Sequence, residues 1–105
     1  MMATINVAKD FSLMPSGRSH TDGSYTGEHF YDYLVRIMNS IPDDEKIIVN
    51  FDGILSAGSS FLEQSFAGLI RKKNITKSKF SDKFIIEAND YPEIKEKILR
   101  YVKEA

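Results

Sequence analysis

The sequence predicts an α/β fold: one domain over residues 1–105, with a mixed, mostly parallel sheet of four or five strands and three helices. Short runs rich in β-branched residues alternate with longer segments in which apolar residues recur at helical spacing. Strands that alternate with helices of about three turns are typical of βαβ crossovers, which place successive strands parallel. A chain of 105 residues is long enough for one such domain with a single core.

The N-terminal segment is predicted to supply one strand and an irregular excursion. Ile5 and Val7 alternate with polar or small residues, which is the period of a half-buried strand. Turn residues at 15–17 and 22–23 interrupt the stretch from residue 10 to residue 25, and they favour a second short strand or a hairpin-like excursion there. We expect this segment to form an antiparallel edge of the sheet.

The first helix is predicted to follow Thr26, whose hydroxyl can cap it. Tyr25 and Phe30 stand at the spacing of a hydrophobic staple. Pro42 ends the helix, because proline disfavours helical conformation in the residue before it. The face that packs on the sheet is an apolar stripe of Phe30, Leu34, Ile37, Met38 and Ile41.

The central strand and the helix after it form the stretch around which the rest of the chain is built. The strand runs from Lys46 to Phe51, and the helix is predicted to begin at Ser60, because Ser60 and Glu63 stand at capping-box spacing. Gly68 is expected to permit a close helix contact, since a mid-helix glycine otherwise costs about 1 kcal/mol relative to alanine. The helix is apolar over more than half its circumference, so it is either sandwiched in the core or offers a surface to another protein.

The C-terminal part is predicted to add one more strand and helix. Asn74 can end the preceding helix in a left-handed turn, and residues 84–88 make a buried strand. Asp90 and Glu93 repeat the capping-box spacing at the start of the last helix. The inner face of that helix is predicted to be Ile94, Ile98 and Val102.

Composition excludes several classes of function. There is no cysteine, hence no disulfide, thiolate metal site or cysteine nucleophile. No apolar run approaches the roughly 18 residues of a membrane helix and no signal peptide is recognisable, so we expect a cytoplasmic protein without membrane contact. The net charge of -1 argues against a dedicated nucleic-acid partner, and the basic excess from Arg71 to Lys83 is interpreted as helix C-terminal cations and a solvated loop. Neither glycine-rich nucleotide motif occurs, so no cofactor is expected.

The strand–turn–helix stretch resembles the signature of the STAS domain, best known from bacterial anti-sigma-factor antagonists. Residues 49–54 and 58–62 align with that signature without a gap. By this resemblance Ser59 corresponds to the serine that is phosphorylated in the antagonists, Ser60 to the second serine and Gly53 to the turn glycine. Gly58 stands where the family has aspartate, and Phe61 where it has glycine.

A closer resemblance is to the STAS-like family of unknown function, and it covers most of the chain. It implies a STAS-like fold. The motifs that carry it are Gly17-Arg18, Asp22-Gly23, Gly27-Glu28-His29-Phe30, Ser59-Ser60-Phe61-Leu62 and Phe66-Ala67-Gly68-Leu69.

A regulatory protein-binding module is the function that we predict. Ser59 and Ser60 are the candidate phosphate acceptors at the start of a helix, where negative charge is tolerated. The resemblance implies a serine kinase of the histidine-kinase-like ATPase type, or another regulator under its control, as the protein partner. The residues expected to contact the partner are Asp52, Gly53, Gly58, Phe61 and Ser65, and a polar cluster of Arg18, Asp22 and Glu28 is expected to hold the glycine-rich loop.

Two alternatives use the histidines. A small serine-dependent enzyme or ligand-binding domain would need His20 or His29 to approach the serine pair as a base. A metal site could in principle use His20, Asp22, Glu28 and His29, but their spacing matches no metal motif, so no metal is expected.

Overall fold

A three-stranded parallel sheet forms the centre of the fold, in a computed structural model that describes residues 2–105. The strands are β1 (Met2–Asn6), β2 (Lys46–Asn50) and β3 (Phe84–Glu87), with β2 in the middle. The register aligns Thr4 with Ile48 and Ile48 with Ile85. The predicted α/β class and parallel pairing are confirmed, whereas the prediction of four or five strands with an antiparallel edge is wrong for these residues.

Residues 2–105 contain five helices instead of the predicted three. In chain order they are α1 (Val7–Asp10), α2 (Gly27–Ser40), α3, α4 (Lys77–Lys83) and α5 (Pro92–Glu104). The helix α3 is continuous, but its hydrogen-bond pattern changes along its length: Ser59–Leu62 is α-helical, Glu63–Ala67 is a π-helix and Gly68–Arg71 is α-helical again. Residues 10–25 form no strand, and their regular structure beyond α1 is a single 3-10 turn at His20–Asp22.

Helix α4 lies where the sequence was interpreted as a solvated basic loop. Thr76 caps it by accepting a hydrogen bond from the Lys79 amide at 3.3 Å. Phe80 is its one buried residue, and it stacks on Phe84 at a ring separation of 4.8 Å. One buried residue in seven produces no helical periodicity in the sequence, which is why the pattern did not predict this helix.

The core lies between α3 and one face of the sheet. Of the two positions expected for this helix, α3 therefore has the one that is sandwiched in the core. The buried strand residues are Ile5, Ile47, Val49, Phe84 and Ile86, and the fully buried residues of α3 include Phe61, Leu62, Phe66 and Leu69. Helices α2 and α5 pack against the π-helical part of α3. The other face of the sheet is open: Thr4 is exposed, while Ile48 and Ile85 are partly exposed.

Two glycines allow α2 and α3 to approach closely. A Cβ atom at Gly27 would lie 2.6 Å from the Cβ of Gln64, and one at Gly68 would lie 3.3 Å from the ring of Tyr31. The expectation that Gly68 permits a close helix contact is therefore confirmed. Gly27 is the tighter of the two positions, because its neighbours on α3 are a Cβ and a backbone carbonyl.

The predicted helix caps had mixed outcomes. Thr26 caps α2 as predicted, since it accepts a hydrogen bond from the His29 amide at 3.4 Å. The predicted start at Ser60 is wrong: α3 begins at Ser59, Gly58 is its N-cap, and no side chain caps it. The capping box of Asp90 with Glu93 is also wrong, because Tyr91 is the N-cap of α5 and makes no side-chain cap.

The end of α3 differs from the prediction as well. Lys73, not Asn74, adopts the left-handed conformation, with φ of 61°. The backbone amides of Lys73 and Asn74 bond to the carbonyls of Ile70 and Leu69, at 3.0 and 2.9 Å. This is the Schellman pattern in which glycine is the usual left-handed residue. None of the helices within residues 2–105 has the length and apolar content needed to cross a bilayer.

Candidate functional site

The turn after β2 is tied to the loop after β3. The Asp52 carboxylate accepts hydrogen bonds from the backbone amides of Asn89 and Asp90, at 2.7 and 3.1 Å, and from the Asn89 side chain at 2.9 Å. In return, Asp90 accepts a hydrogen bond from the Gly53 amide at 3.1 Å. The bond from the Asp90 amide, with those from Asn89, outweighs burial and lowers the pKa of Asp52 below its ordinary value. Asp52 and Gly53 therefore hold the position from which the serine turn leaves the sheet.

Ser59 and Ser60 are exposed at the first two positions of α3. Their backbone amides lie at the positive end of the helix, and no side chain caps that end. The Nζ of Lys97, on α5, lies 3.4 Å from the Ser59 hydroxyl oxygen. The serine turn thus combines an accessible hydroxyl, an uncapped helix N-terminus and one lysine, which is a suitable environment for an added negative charge.

Phe61 and Ser65 do not belong to this surface. Both residues are 0% exposed. The Ser65 hydroxyl donates a hydrogen bond to the Phe61 carbonyl oxygen at 2.8 Å, and the Phe61 ring packs 5.4 Å from that of Phe30. The prediction that these two residues contact a partner is wrong, because the side of α3 that carries them faces α2 and the core.

The polar cluster of Arg18, Asp22 and Glu28 holds the loop that precedes α2. Asp22 accepts hydrogen bonds from the amides of Ser19 and Arg18, at 2.9 and 3.1 Å. Those two bonds lower the pKa of Asp22, that from Ser19 contributing most. Glu28 accepts from the amide of His20 at 2.7 Å. The two carboxylates thus accept hydrogen bonds from backbone amides that, in a strand, would donate to a neighbouring strand.

Arg18 also connects this loop to α3. Its Nη1 lies 2.6 Å from Oε1 of Glu63 and 3.0 Å from Oε1 of Gln64. Arg71, two turns further along α3, forms a second ion pair with Glu63. Burial raises the pKa of Glu63, but the hydrogen bonds and charges of Arg71 and Arg18 outweigh it and lower the pKa below its ordinary value. The Glu63 carboxylate is therefore engaged with two arginines and does not cap the helix.

Neither histidine reaches the serine pair. His20 bonds to Asp32 at 2.8 Å, and its other ring nitrogen lies 3.2 Å from Glu28. His29 shares a hydrogen bond of 2.7 Å with the Thr26 hydroxyl. Within the part of the chain that the structure describes, no hydrogen bond joins a histidine to either serine, and no group of three or more His, Asp or Glu side chains is arranged to hold a metal ion.

Sequence reasoning missed an exposed apolar patch beside the serine turn. The patch consists of Leu13, Met14, Leu55 and Tyr91, which are 50%, 58%, 61% and 37% exposed. The Leu55 amide donates a hydrogen bond to the Leu13 carbonyl at 2.8 Å, and the Tyr91 hydroxyl donates to the Leu55 carbonyl at 3.3 Å. Leu13, Leu55 and Tyr91 come from segments without periodicity, so only the hydrogen bonds of the folded chain show that they are neighbours.

The loop that carries Leu13 and Met14 is hydrogen-bonded to the serine turn. The Gly58 amide donates a hydrogen bond to the Pro15 carbonyl at 3.2 Å, which places the loop after Met14 against the turn before Ser59. The loops that carry the patch and the serine turn follow the carboxyl ends of the parallel strands, the usual position of binding sites in open α/β sheets.

Comparison with protein families identifies a match. A family model described as a STAS-like domain of unknown function covers residues 26–92, which extend from the cap of α2 to the start of α5. No curated protein and no solved structure matches the chain significantly.

Proposed function

Because the chain belongs to the family of STAS-like domains of unknown function, we propose that it is a regulatory protein-interaction module with Ser59 as a phosphate acceptor. Its partner would be a serine kinase of the histidine-kinase-like ATPase type or another regulator that such a kinase controls. The role is one of binding, with catalysis left to the partner.

One observation carries the proposal: Ser59 is exposed at the uncapped N-terminus of α3, in a turn that is hydrogen-bonded to a loop of the apolar patch. Exposed apolar residues that are contiguous often mark protein contacts. A hydroxyl at the border of such a surface is accessible to a kinase while the partner is absent. Its phosphorylation then changes the charge of the surface that the partner contacts. This combination supports a switchable contact better than it supports a structural role alone.

A phosphate at Ser59 would be stabilised where it forms. It adds a charge of about -1.5 to -2, and both the helix N-terminus and Lys97, 3.4 Å from the hydroxyl, favour that charge. Leu62, three residues on, is fully buried and anchors the first turn of α3. The phosphate would therefore alter the surface that a partner meets while the domain keeps its fold.

The proposal is tested by phosphorylation in vitro. The protein is incubated with ATP and a serine kinase of the histidine-kinase-like ATPase type, and the products are mapped by mass spectrometry. We expect phosphate on Ser59, its loss in Ser59→Ala, and its retention in the control Ser78→Ala, which removes an exposed serine of α4. Absence of phosphate from Ser59, with kinase binding unaffected by Ser59→Asp, would reject the proposal.

The role of Lys97 has a separate readout. In protein phosphorylated at Ser59, the second ionisation of the phosphate can be followed by phosphorus NMR. Lys97→Ala is expected to raise that pKa, since a neighbouring cation stabilises the dianion. Lys95→Ala, an exposed lysine on the same helix, should leave it unchanged. Equal values in the two variants would show that Lys97 does not contact the phosphate.

A further inference from the structure

We infer that a cleft at the opposite end of the sheet from the serine turn binds a small zwitterionic molecule with an apolar body. The oxyanion of the ligand would face Lys73 and Lys79, and its ammonium group would face the turn between α2 and β2. The site is separate from that of the proposed function, because the cleft lies at the amino ends of β2 and β3, whereas Ser59 follows the carboxyl end of β2.

The cleft has the size of a small-molecule site. Its volume is about 920 Å³, and clefts that bind small molecules usually measure about 300–1,000 Å³. It opens between the end of α2, the turn that leads into β2, the end of α3 and α4. Three half-buried residues that pack against the core, Met38, Ile70 and Ile75, line part of it. They supply an apolar surface on which the body of a ligand can lie.

The charged residues that line the cleft belong to two walls of opposite net charge. The first wall is the turn between α2 and β2, and its charged residues are Asp43, Asp44, Glu45 and Lys46. The second wall runs from the end of α3 through α4, and its charged residues are Lys73, Lys79, Asp82 and Lys83. Three carboxylates and one ammonium group give the first wall a net charge of -2, while three ammonium groups and one carboxylate give the second wall +2.

Lys46 and Lys83 hold the two walls together. The Lys83 ammonium group donates hydrogen bonds to the carbonyls of Pro42 and Asp43, at 3.2 and 3.0 Å. The Lys46 ammonium group donates to the carbonyl of Asp82. Each lysine reaches from its own wall to the other, so the exchange leaves the net charge of both walls unchanged.

Lys73 and Lys79 are the cations of the cleft that remain for a ligand. Across residues 2–105, no lysine forms a salt bridge, and neither of these two ammonium groups donates a hydrogen bond. The lysines beside the cleft are directed elsewhere. Lys72 lies over the ring of Tyr31, at 4.3 Å, and Lys77 donates to a carbonyl in the last turn of α5 at 2.7 Å.

The backbone of Lys73 is an independent indication that its side chain has a function. With φ of 61°, it is the one residue other than glycine that has a positive φ in the part of the chain that the structure describes. A side chain in this conformation is less stable than glycine, and backbone strain of this kind is concentrated at functional sites. Glycine would end α3 more favourably, but it would remove an ammonium group from the cleft.

The two walls together favour a zwitterion over a simple ion. A ligand with only a negative charge would be attracted by Lys73 and Lys79 and repelled by the three carboxylates of the opposite wall. A ligand with only a positive charge would meet the reverse arrangement. A molecule that carries both charges can satisfy both walls, and its apolar body can bury area against the residues between them.

The inference is tested by NMR titration of the full ¹⁵N-labelled chain with the dipeptide leucyl-leucine. Two blocked forms serve as comparison ligands: N-acetyl-leucyl-leucine keeps only the negative charge, and leucyl-leucinamide keeps only the positive charge. We expect the free dipeptide to bind about tenfold more tightly than either blocked form. The backbone amides whose signals shift are expected to lie in residues 43–46 and 73–83.

Lys73→Gly separates binding from the stability of the fold. It is expected to raise the Tm, because it relieves the left-handed conformation, and to weaken binding of the dipeptide about tenfold. The control Lys72→Gln removes the same charge from the neighbouring residue, whose ammonium group lies over the ring of Tyr31, and should leave the affinity unchanged. Asp44→Asn combined with Glu45→Gln should weaken the dipeptide and leucyl-leucinamide but spare the N-acetyl form.

Several outcomes would overturn the inference: equal affinity of the three ligands, absence of binding by all of them, shifts confined to residues outside the cleft, or equal effects of Lys73→Gly and Lys72→Gln. Loss of affinity in a Lys73→Gly chain that melts at a higher temperature would support it, because such a loss cannot come from unfolding. Ser59 takes no part in these measurements, so the proposed function is tested separately.

Discussion

Replacing Gly27 by alanine tests how tightly α2 is held against the helix that carries the serine turn. Gly27 is the first residue of α2 and is buried. A Cβ atom there would lie 2.6 Å from the Cβ of Gln64 and 2.9 Å from the carbonyl oxygen of Phe61. Nonbonded carbon atoms normally approach to about 3.5–4.0 Å, so the two helices would have to separate by roughly 1 Å. Neither neighbour can rotate away, since one is a Cβ and the other a backbone atom.

The magnitude follows from two opposing effects. Alanine in place of glycine in a helix ordinarily stabilises a protein by about 0.5–1 kcal/mol. Forcing an extra methyl group into a well-packed core costs about 1–3 kcal/mol, and a contact this short belongs at the upper end of that range. We expect Gly27→Ala to lower the free energy of unfolding by about 2 kcal/mol net, which corresponds to a fall in Tm of about 10 °C.

Thermal and urea denaturation, followed by far-UV circular dichroism, measures this effect. Gly23→Ala is the matched control, because a Cβ there would have one neighbour, the Thr26 methyl group at 4.0 Å. The backbone at Gly23 is also extended, with φ of 161°. The control should stay within about 0.5 kcal/mol of the natural chain. Gly27→Ala as stable as Gly23→Ala would refute the close packing of α2 on the π-helical segment.

Three further predictions concern α3 and its ends. The pKa of Glu63 lies below its ordinary value of 4.5, so the stability that the ionised carboxylate contributes is present at neutral pH and is lost as the pH falls below about 4.5. In urea denaturation at pH values above and below 4.5, Glu63→Gln should reduce this loss of unfolding free energy in acid. An unchanged loss would contradict the ion pairs of Glu63 with Arg18 and Arg71. Lys73→Gly should raise the free energy of unfolding by about 1 kcal/mol, because the residue has φ of 61°. The control Lys72→Gly, at φ of -89°, should lower the free energy of unfolding. A change of the same sign in both variants would be evidence against the left-handed turn. Gly58→Asp should stabilise the chain by a few tenths of a kcal/mol, because aspartate is a better N-cap than glycine. A Cβ atom at this position would meet Ser16 at an ordinary distance of 3.7 Å. A lower Tm would show that the position is crowded.

The parallel sheet could be predicted because each strand is a local pattern. The β-branched runs of β2 and β3 are separated by helical periodicity, and that order implies crossovers. The number of strands could not be predicted from residues 10–25, whose turn residues are compatible with a hairpin or a loop. In the folded chain, Gly17 and Arg18 place their carbonyls on the first amides of α2, at 2.9 Å each, so no strand partner is needed.

The helix caps likewise divide into one that local sequence determines and one that depends on residues far away in the chain. Thr26 bonds to an amide three residues away, a contact that local sequence contains completely. Ser60 and Glu63 had the same spacing as a capping box, but the Glu63 carboxylate found Arg18, forty-five residues away, and Arg71. An ion pair with two guanidinium groups competes successfully with one amide bond, and nothing local in the sequence indicates that those groups will be near.

The sequence by itself determined the α/β class, the parallel crossovers, the serine pair at the start of a helix and the family to which the chain belongs, because these depend on residue type and spacing over short distances. Only the tertiary structure decided that Phe61 and Ser65 are buried, that Lys97 lies beside Ser59 and that the exposed residues Leu13, Leu55 and Tyr91 are hydrogen-bonded neighbours. Those relations join loops and helices far apart in the chain. They arise when α3 packs between α2, α5 and the sheet, since that packing fixes which side of each element remains in contact with water.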